Sequence, residues 1–489
     1  MKLRKYKTGI LAGVVGLSIL AGPGCKKVKD FGDINLDPSR TTEPITSALL
    51  TNVIGLTGTA YPSLGTLVTN TRGGLYAQQF SETQYTETSL YAEPKVDFDG
   101  TYSGPLMDLQ NIINYNSDPE TAAKAAVNGS NKNQIATARI LKAYYFWVIT
   151  DQYGDIPYFE ALKGEGNTKF DTQQSIYMDL FKELTEAVAQ FDGGAPFRGD
   201  VLYGGDVAKW KKFANSMRLQ MALRLSKVDA TTGAAQANAA IAAGVMTSNA
   251  DNAVIDYPGG TFNNPWYNLY DGRKDFAMSN IMDNFLTSTG DPRLAVFGSS
   301  DVGFPYGLTR DLAVAFDGSS GGNWARILAN DRREQGDPVT VMNYATVLLA
   351  QAEARHRGWV TTGPTAQQLY EAAVQASWDE WGISYTPGQL AAYLSNSNVA
   401  FTAGNEIQRI ATQRWLALYP NGLQAWFEWR RTGFPVLTPT PYATNSSKQI
   451  PRRYVYGIRQ YSLNKVNTEE AAARMGGDNQ DTRTWWDKP

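Results

Sequence analysis

Apolar residues recur at helical spacing through most of the chain. They return every third or fourth position, so that each set lies on one face of a helix. The clearest stripes occupy residues 140–148, 176–191, 210–225, 370–381 and 407–430. Because strand-like alternation is rare by comparison, the pattern predicts a mostly α-helical fold.

Local signals place several helix ends. Asp206 stands where an N-cap is expected, and Thr365 with Gln368 matches a capping box. Pro420-Asn421-Gly422 interrupts one helical stripe, and Gly433 closes the next. Helices joined by such short turns indicate a helical-repeat element of the tetratricopeptide kind.

Three long segments lack a clear period and are rich in Gly, Asn, Asp and aromatic residues. They cover residues 70–105, 251–275 and 297–338. Within the second, the Gly, Pro and Asn content of 262–275 opposes a regular helix. Long irregular segments in a globular protein usually carry function, so we expect the ligand-facing loops here.

The N-terminus carries an export signal. Four cations precede an apolar run from Ile10 to Ala21, which is too short to span a bilayer. Cys25, the sole cysteine, follows this run behind small residues, although Gly22 stands where a lipoprotein signal usually has Leu. We therefore predict a signal peptide at 1–24, a lipidated tether at 25–44 acylated on Cys25, and a binding domain at 45–489. The alternative is ordinary cleavage nearby, which leaves a free thiol.

Composition narrows the function. The net charge is −2 and no basic block stands out, so no nucleic-acid partner is expected. One histidine, His356, cannot build a His-based zinc site, and no metal or cofactor is predicted. By contrast, 26 Tyr and 12 Trp favour surfaces on which a ligand stacks.

Two acidic pairs raise the possibility of a glycoside hydrolase, which needs two carboxyl groups across the sugar bond. The pairs are Asp151 with Asp155, and Asp379 with Glu380. Helix caps and turns explain them better, so we predict no catalytic residues. A hydrolase would release new reducing ends from polysaccharide. A third alternative is a helical-repeat scaffold without a ligand pocket.

Long sequence blocks carry a family resemblance. They read RILKAYYFWVITDQYGDIP (139–157), GDVAKWKKFANSMRLQMALRLS (205–226), YATVLLAQAEA (344–354), ATQRWLALYPNGLQAWFEWRRTGFP (411–435) and TRTWWD (482–487). Together they make the chain similar to the SusD/RagB family of nutrient-binding lipoproteins over essentially its whole length.

The resemblance implies a fold, a place and a partner. The fold would be a tetratricopeptide-type helical platform with a less regular, loop-rich lobe. The protein would sit on the outer membrane, facing the exterior, and would serve a SusC-like TonB-dependent transporter. It would capture a glycan or, in some members, an oligopeptide, and would need no cofactor.

Aromatic residues on the irregular segments are the candidate ligand contacts. Sugars expose apolar C–H faces, which suit flat rings flanked by polar groups. The predicted ligand-binding residues are Trp266, Tyr267, Tyr270, Asn264, Arg273, Tyr85 and Trp324. Each ring could instead pack between elements. The tryptophans on helical stripes, Trp147, Trp210, Trp415 and Trp426, are predicted to be core.

Overall fold

A computed structural model describes residues 43–58, 69–93, 96–164 and 166–489. The predicted signal peptide, Cys25 and all but the end of the predicted tether lie outside these residues. Pro44–Pro489 forms one compact unit.

The described chain is mostly helical, as the apolar stripes predict. Its helices are α1 (Thr46–Gly58), α2 (Thr71–Tyr76), α3 (Asp99–Thr101), α4 (Met107–Ser117), α5 (Ala122–Ala125), α6 (Asn131–Tyr153), α7 (Gln173–Gln190), α8 (Val207–Arg224), α9 (Ala230–Ala243), α10 (Pro265–Leu269), α11 (Asn280–Thr289), α12 (Leu294–Phe297), α13 (Arg310–Ser320), α14 (Tyr344–His356), α15 (Ala366–Glu380), α16 (Pro387–Leu394), α17 (Glu406–Ala417), α18 (Gly422–Thr432), α19 (Ile458–Leu463) and α20 (Lys465–Met475). Helices adjacent in sequence pack against each other in pairs, α6 with α7, α8 with α9, α14 with α15, and α17 with α18. This is the predicted tetratricopeptide-like platform.

Short strands lie between the helices. They are β1 (Phe80–Glu82), β2 (Ile156–Pro157), β3 (Phe170–Asp171), β4 (Ala253–Ile255), β5 (Phe276–Met278) and β6 (Val339–Met342). Each pairs antiparallel with one other, β1 with β5, β2 with β3, and β4 with β6. The pairs β1–β5 and β4–β6 join residues that lie far apart in sequence.

The predicted helix ends are confirmed. Asp206 caps α8 by accepting hydrogen bonds from the N–H groups of Ala208 and Lys209. Thr365 and Gln368 form the capping box of α15. Gly433 ends α18 in the left-handed conformation.

The Pro420–Gly422 break lets two backbones meet. A Cβ on Gly422 would lie 2.1 Å from the backbone N of Gly74 in α2, and one on Gly73 would lie 2.6 Å from the Cα of Leu423. Since only glycine permits this approach, the turn fixes α18 against α2.

The prediction of irregular structure is wrong for parts of all three segments. Thr71–Tyr76 forms α2 within the segment 70–105. Residues 265–269 form α10, because Pro265 is tolerated in a first turn and Asn264 supplies the cap. Arg310–Ser320 forms α13 inside the segment 297–338.

The core runs through the helical pairs. Trp147, Trp210, Trp415 and Trp426 are at most 1% exposed, which confirms the prediction for the striped tryptophans. A smaller cluster lies between α14, α15 and α17, and another surrounds Trp324. Over the described residues, no helix has the length and apolarity needed to cross a membrane.

Candidate functional site

Strand pairing brings two of the predicted ligand segments together. β1 and β5 align so that Glu82 faces Phe276. Just beyond, the Thr83 N–H donates to the carbonyl of Asp275 at 2.9 Å, and the Thr83 hydroxyl donates to the carbonyl of Lys274 at 2.6 Å. Residues 83–85 therefore lie beside residues 273–275.

An exposed tyrosine stands at this junction. The Tyr85 side chain is 52% exposed. The guanidinium of Arg273 lies 5.6 Å from its ring centroid, and that of Arg310, in the first turn of α13, lies 5.7 Å away. With Lys274 these residues make up the Tyr85 patch: Tyr85, Arg273, Lys274 and Arg310. It joins two predicted residues, Tyr85 and Arg273, to Arg310, which no local sequence signal marks.

Two of the three cations of the patch pair with carboxylates. Arg273 pairs with Asp275, and Lys274 lies 3.4 Å from Asp317 in α13. The side chain of Arg273 still remains 63% exposed. The patch therefore offers an exposed aromatic ring with guanidinium and ammonium donors beside it. This arrangement suits a sugar ring and its hydroxyl groups.

Trp324 is buried next to the patch and stabilises it, but its ring is not exposed to a ligand. Its ring is 1% exposed and packs edge-on against Phe304, with centroids 5.5 Å apart. Its indole N–H donates to Asp317 at 2.7 Å. Trp324 thus fixes the carboxylate that in turn accepts from Lys274, and the expectation of an exposed stacking ring is corrected.

Trp266 is also a packing residue. It is 1% exposed, and its ring meets Phe80 of β1 edge-on at 5.8 Å. Asn264 is fully buried: it accepts from the N–H of Trp266 at 2.7 Å and donates to the carbonyl of Asp337 at 3.0 Å. Both were expected to contact ligand. Helix α10, which the sequence pattern did not predict, turns them inward.

Tyr267 and Tyr270 are half-buried and tied to their surroundings. The Tyr267 hydroxyl accepts from Gln335 at 3.0 Å. The Tyr270 hydroxyl donates to the carbonyl of Phe276 at 3.0 Å and accepts from the N–H of Ile327 at 2.8 Å. Burial raises the pKa of Tyr270, so its phenol stays neutral. Both tyrosines therefore stabilise the surrounding loops, and their half-buried rings are less available to a ligand than an exposed ring.

A cavity of about 170 Å³ lies beneath Trp266. Its walls include Tyr144, Trp147 and Gln424 from the helical platform. Glu380 also lines it, and burial raises the pKa of that carboxyl to about 8. The Asn343 amide donates to Glu380 at 2.8 Å. The cavity joins the platform to the irregular part, and Asp331 and Asp337 line it together with Glu380.

The acidic pairs do not face each other across a cleft. Glu380 points inward, whereas its neighbour Asp379 is exposed and accepts from the hydroxyl of Tyr385 at 2.8 Å. Asp151 is buried and pairs with Arg224 at 3.2 Å, and Asp155 pairs with Arg474 at 2.9 Å. Within the described residues no group of three or more His, Cys, Asp or Glu could hold a metal ion.

Comparison with known proteins identifies the family. The SusD-like sequence model described as "Starch-binding associating with outer membrane" matches residues 38–457. The chain belongs to the SusD-like family. No curated protein matches it significantly.

Solved structures of SusD-like proteins share its fold. A structure titled as a chitin-binding protein is 30% identical, with a TM-score of 0.75 over 91% of this chain and 100% of that one. A chitin-binding SusD homologue from Flavobacterium johnsoniae is 25% identical, with a TM-score of 0.73 over 91% and 98%. A SusD homologue from Bacteroides uniformis is 25% identical, with a TM-score of 0.77 over 91% and 100%.

Proposed function

We propose that this SusD-like protein binds an oligosaccharide at the Tyr85 patch and delivers it to a SusC-like TonB-dependent transporter in the outer membrane. It binds without catalysis and without a cofactor. The observation that carries the proposal is the exposed Tyr85 ring between Arg273 and Arg310. An exposed aromatic ring with cationic hydrogen-bond donors beside it suits a carbohydrate ligand.

The titles of two relatives and the hydrogen-bond donors of the patch support a glycan ligand. Two solved structures that resemble the chain are titled as chitin-binding. A chitin oligosaccharide is neutral and carries acetamido carbonyls, which accept hydrogen bonds from guanidinium and ammonium groups. It is therefore the first ligand to test. An oligopeptide is the alternative, since its carboxylates would pair with the same three cations.

Removal of the ring tests the patch. We expect Tyr85→Ala to weaken binding of a chitin oligosaccharide by about 1–3 kcal/mol, or roughly 5–150-fold, by analogy with the stacking of bases on aromatic rings. Thermal stability should change little, because the ring is half exposed. Isothermal titration calorimetry and thermal melts measure the two effects.

Phe159→Ala is the matched control for this prediction. Phe159 is 48% exposed and follows strand β2, so it is an exposed ring on a different hairpin. Its loss should leave affinity unchanged. If Tyr85→Ala binds as tightly as the parent, the patch is not the platform. If the parent binds a peptide ligand but no chitin, starch or cellulose oligomer, the glycan proposal is wrong.

We also propose that Cys25 carries the lipid anchor. We expect Cys25→Ala to move the protein from the membrane to the soluble fraction, because two or three acyl chains anchor stably whereas an unacylated chain has none. Fractionation is done in cells without the partner transporter, which could otherwise retain the mutant. Equal membrane fractions for mutant and parent would rule out the anchor.

A further inference from the structure

The loop that carries Tyr85 is closed at its neck by a buried carboxyl group. Residues 83–90, the Tyr85 loop, follow β1, whose last residue is Glu82. Glu82 is only 6% exposed. Its Oε2 accepts two hydrogen bonds from Ser89, one from the backbone N–H and one from the hydroxyl, both at 2.8 Å. These contacts join the start of the loop to its end.

Other hydrogen bonds hold the two ends of the loop to separate parts of the chain. Thr83 donates to the carbonyls of Lys274 and Asp275, and the carbonyl of Leu90 accepts from the N–H and the hydroxyl of Thr444 at 2.7 and 3.0 Å. The second half of the loop also forms local turns. The N–H of Leu90 donates to the carbonyl of Thr86 at 3.1 Å, and that of Tyr91 donates to the carbonyl of Thr88 at 3.0 Å. Neither these turns nor the contacts of Leu90 with Thr444 tie the second half of the loop to β1. The Glu82–Ser89 contact does so, and Tyr85 lies in the part of the loop that it closes.

We propose that Glu82 is the positioning residue of the ligand site: it holds the Tyr85 loop closed through Ser89, and so keeps the Tyr85 ring between Arg273 and Arg310. This inference rests on the proposed function of the Tyr85 patch. It adds a mechanism by which pH controls ligand affinity at the patch.

The direction of that control follows from burial. In the closed loop, burial raises the pKa of Glu82 from 4.5 to about 7. The groups that face it are Glu87 on the loop, Tyr76 at the end of α2 and Tyr306 before α13. Burial raises the pKa of both tyrosines, to about 12 for Tyr76, so neither changes charge between pH 6 and 8.

Opening of the loop would hydrate Glu82 and return its pKa toward 4.5. The closed state therefore binds the proton more tightly, and protonation favours closure as the pH falls below about 7. A protonated carboxyl still accepts from the N–H of Ser89 through its carbonyl oxygen. If the ligand binds only the closed loop, its affinity follows the fraction of protein in which the loop is closed. With a Glu82 pKa of 4.5 in the open state and about 7 in the closed state, affinity is up to about tenfold higher at pH 6 than at pH 8.

Three proteins test the proposal by titration with a chitin oligosaccharide at pH 6 and pH 8. The parent should bind more tightly at pH 6. Glu82→Gln keeps a neutral acceptor for Ser89 and should bind equally well at both values, near the parent's affinity at pH 6. Glu82→Ala removes the acceptor and should bind more weakly than Glu82→Gln at both. Parent affinity that is flat between pH 6 and 8, or Glu82→Ala binding equal to Glu82→Gln binding, overturns the proposal.

A second measurement needs no ligand and separates this proposal from the proposed function. Hydrogen–deuterium exchange of a peptide spanning residues 83–91 should be faster in Glu82→Ala than in Glu82→Gln at the same pH. If Tyr85→Ala binds normally, the ligand face is misplaced, while the exchange rates still show whether Glu82 closes the loop. Equal exchange in the two Glu82 variants overturns the closure itself.

Discussion

Asp151→Ala is expected to lower the free energy of unfolding by about 3–5 kcal/mol, the cost of breaking a buried ion pair by removing one partner. Asp151 lies on α6 and is fully buried. Its Oδ1 accepts from the hydroxyl of Tyr177 at 2.5 Å and from the indole N–H of Trp486 at 2.6 Å. Its Oδ2 lies 3.2 Å from Nε of Arg224, which is also fully buried. The substitution leaves two buried donors without this acceptor and removes one of the two carboxylates that pair with Arg224.

Chemical denaturation of the parent and the variant measures this loss. Asp379→Ala is the control, because Asp379 is exposed and bonds only to the hydroxyl of Tyr385 among the contacts described for it. It should change stability by less than about 1 kcal/mol. Asp151→Asn keeps an oxygen that accepts from Tyr177 and Trp486 but loses the negative charge. Its loss of stability should therefore lie between those of Asp151→Ala and Asp379→Ala. A loss below 1 kcal/mol for Asp151→Ala contradicts the prediction.

The ion pairs continue from Arg224 into a buried network. Arg224 pairs with Glu428, and Glu428 lies 2.7 Å from Arg431, which pairs with Glu353 at 2.6 Å. Burial opposes the ionisation of Glu353, but Arg431 and Arg357 outweigh it and hold its pKa well below the usual range. Glu353 therefore stays charged, and the network joins residues of four helices, α6, α8, α14 and α18.

The sequence blocks that carry the family resemblance supply this network. Asp151 comes from the first block, Arg224 from the second and Glu353 from the third. Glu428 and Arg431 come from the fourth, and Trp486 from the last. Their spacing along the chain reveals neither partners nor burial, because charged residues at helical spacing are ordinarily solvent-facing. The blocks identified the family, and the structure shows that they meet in the platform.

The platform could be predicted from sequence because its signals are local. Apolar stripes, the cap at Asp206, the capping box at Thr365 and the break before Gly422 each depend on residues within one or two turns. The structure confirms all of them. Residues 265–269 show the limit of composition: Pro and Asn argue against a helix interior but suit a helix start.

The ligand face could be predicted only in part. The composition of their segments predicts Tyr85 and Arg273 as ligand contacts. Their proximity depends on the pairing of β1 with β5, which lie far apart in sequence. Arg310 reaches the ring only because α13 begins beside it. Trp266 and Trp324 have the same local composition as Tyr85, and only the packing against Phe80 and Phe304 separates buried rings from the exposed one.

Trp415→Ala is expected to cost about 3–5 kcal/mol of unfolding free energy, because removal of a buried indole leaves a cavity. Trp415 lies on α17 and is 1% exposed. Its indole N–H donates to the carbonyl of Ala77 at 2.9 Å, and its own carbonyl accepts from the side chain of Gln79 at 2.7 Å. The substitution keeps the second bond and loses the first, so the carbonyl of Ala77 is left without this donor.

Trp415→Ala and Tyr85→Ala should have opposite effects, and the comparison separates stability from binding. Trp415→Ala should unfold at lower denaturant, yet bind the oligosaccharide with parental affinity at temperatures where it is folded, because its ring does not contact the Tyr85 patch. Trp429→Ala serves as the control, since Trp429 is only half-buried on α18, and it should lose less stability than Trp415→Ala. Equal losses for the two tryptophans would contradict the cavity argument. Weakened binding by fully folded Trp415→Ala would mean that the segment from Ala77 to Gln79, which leads into β1, transmits the position of α17 to the Tyr85 loop.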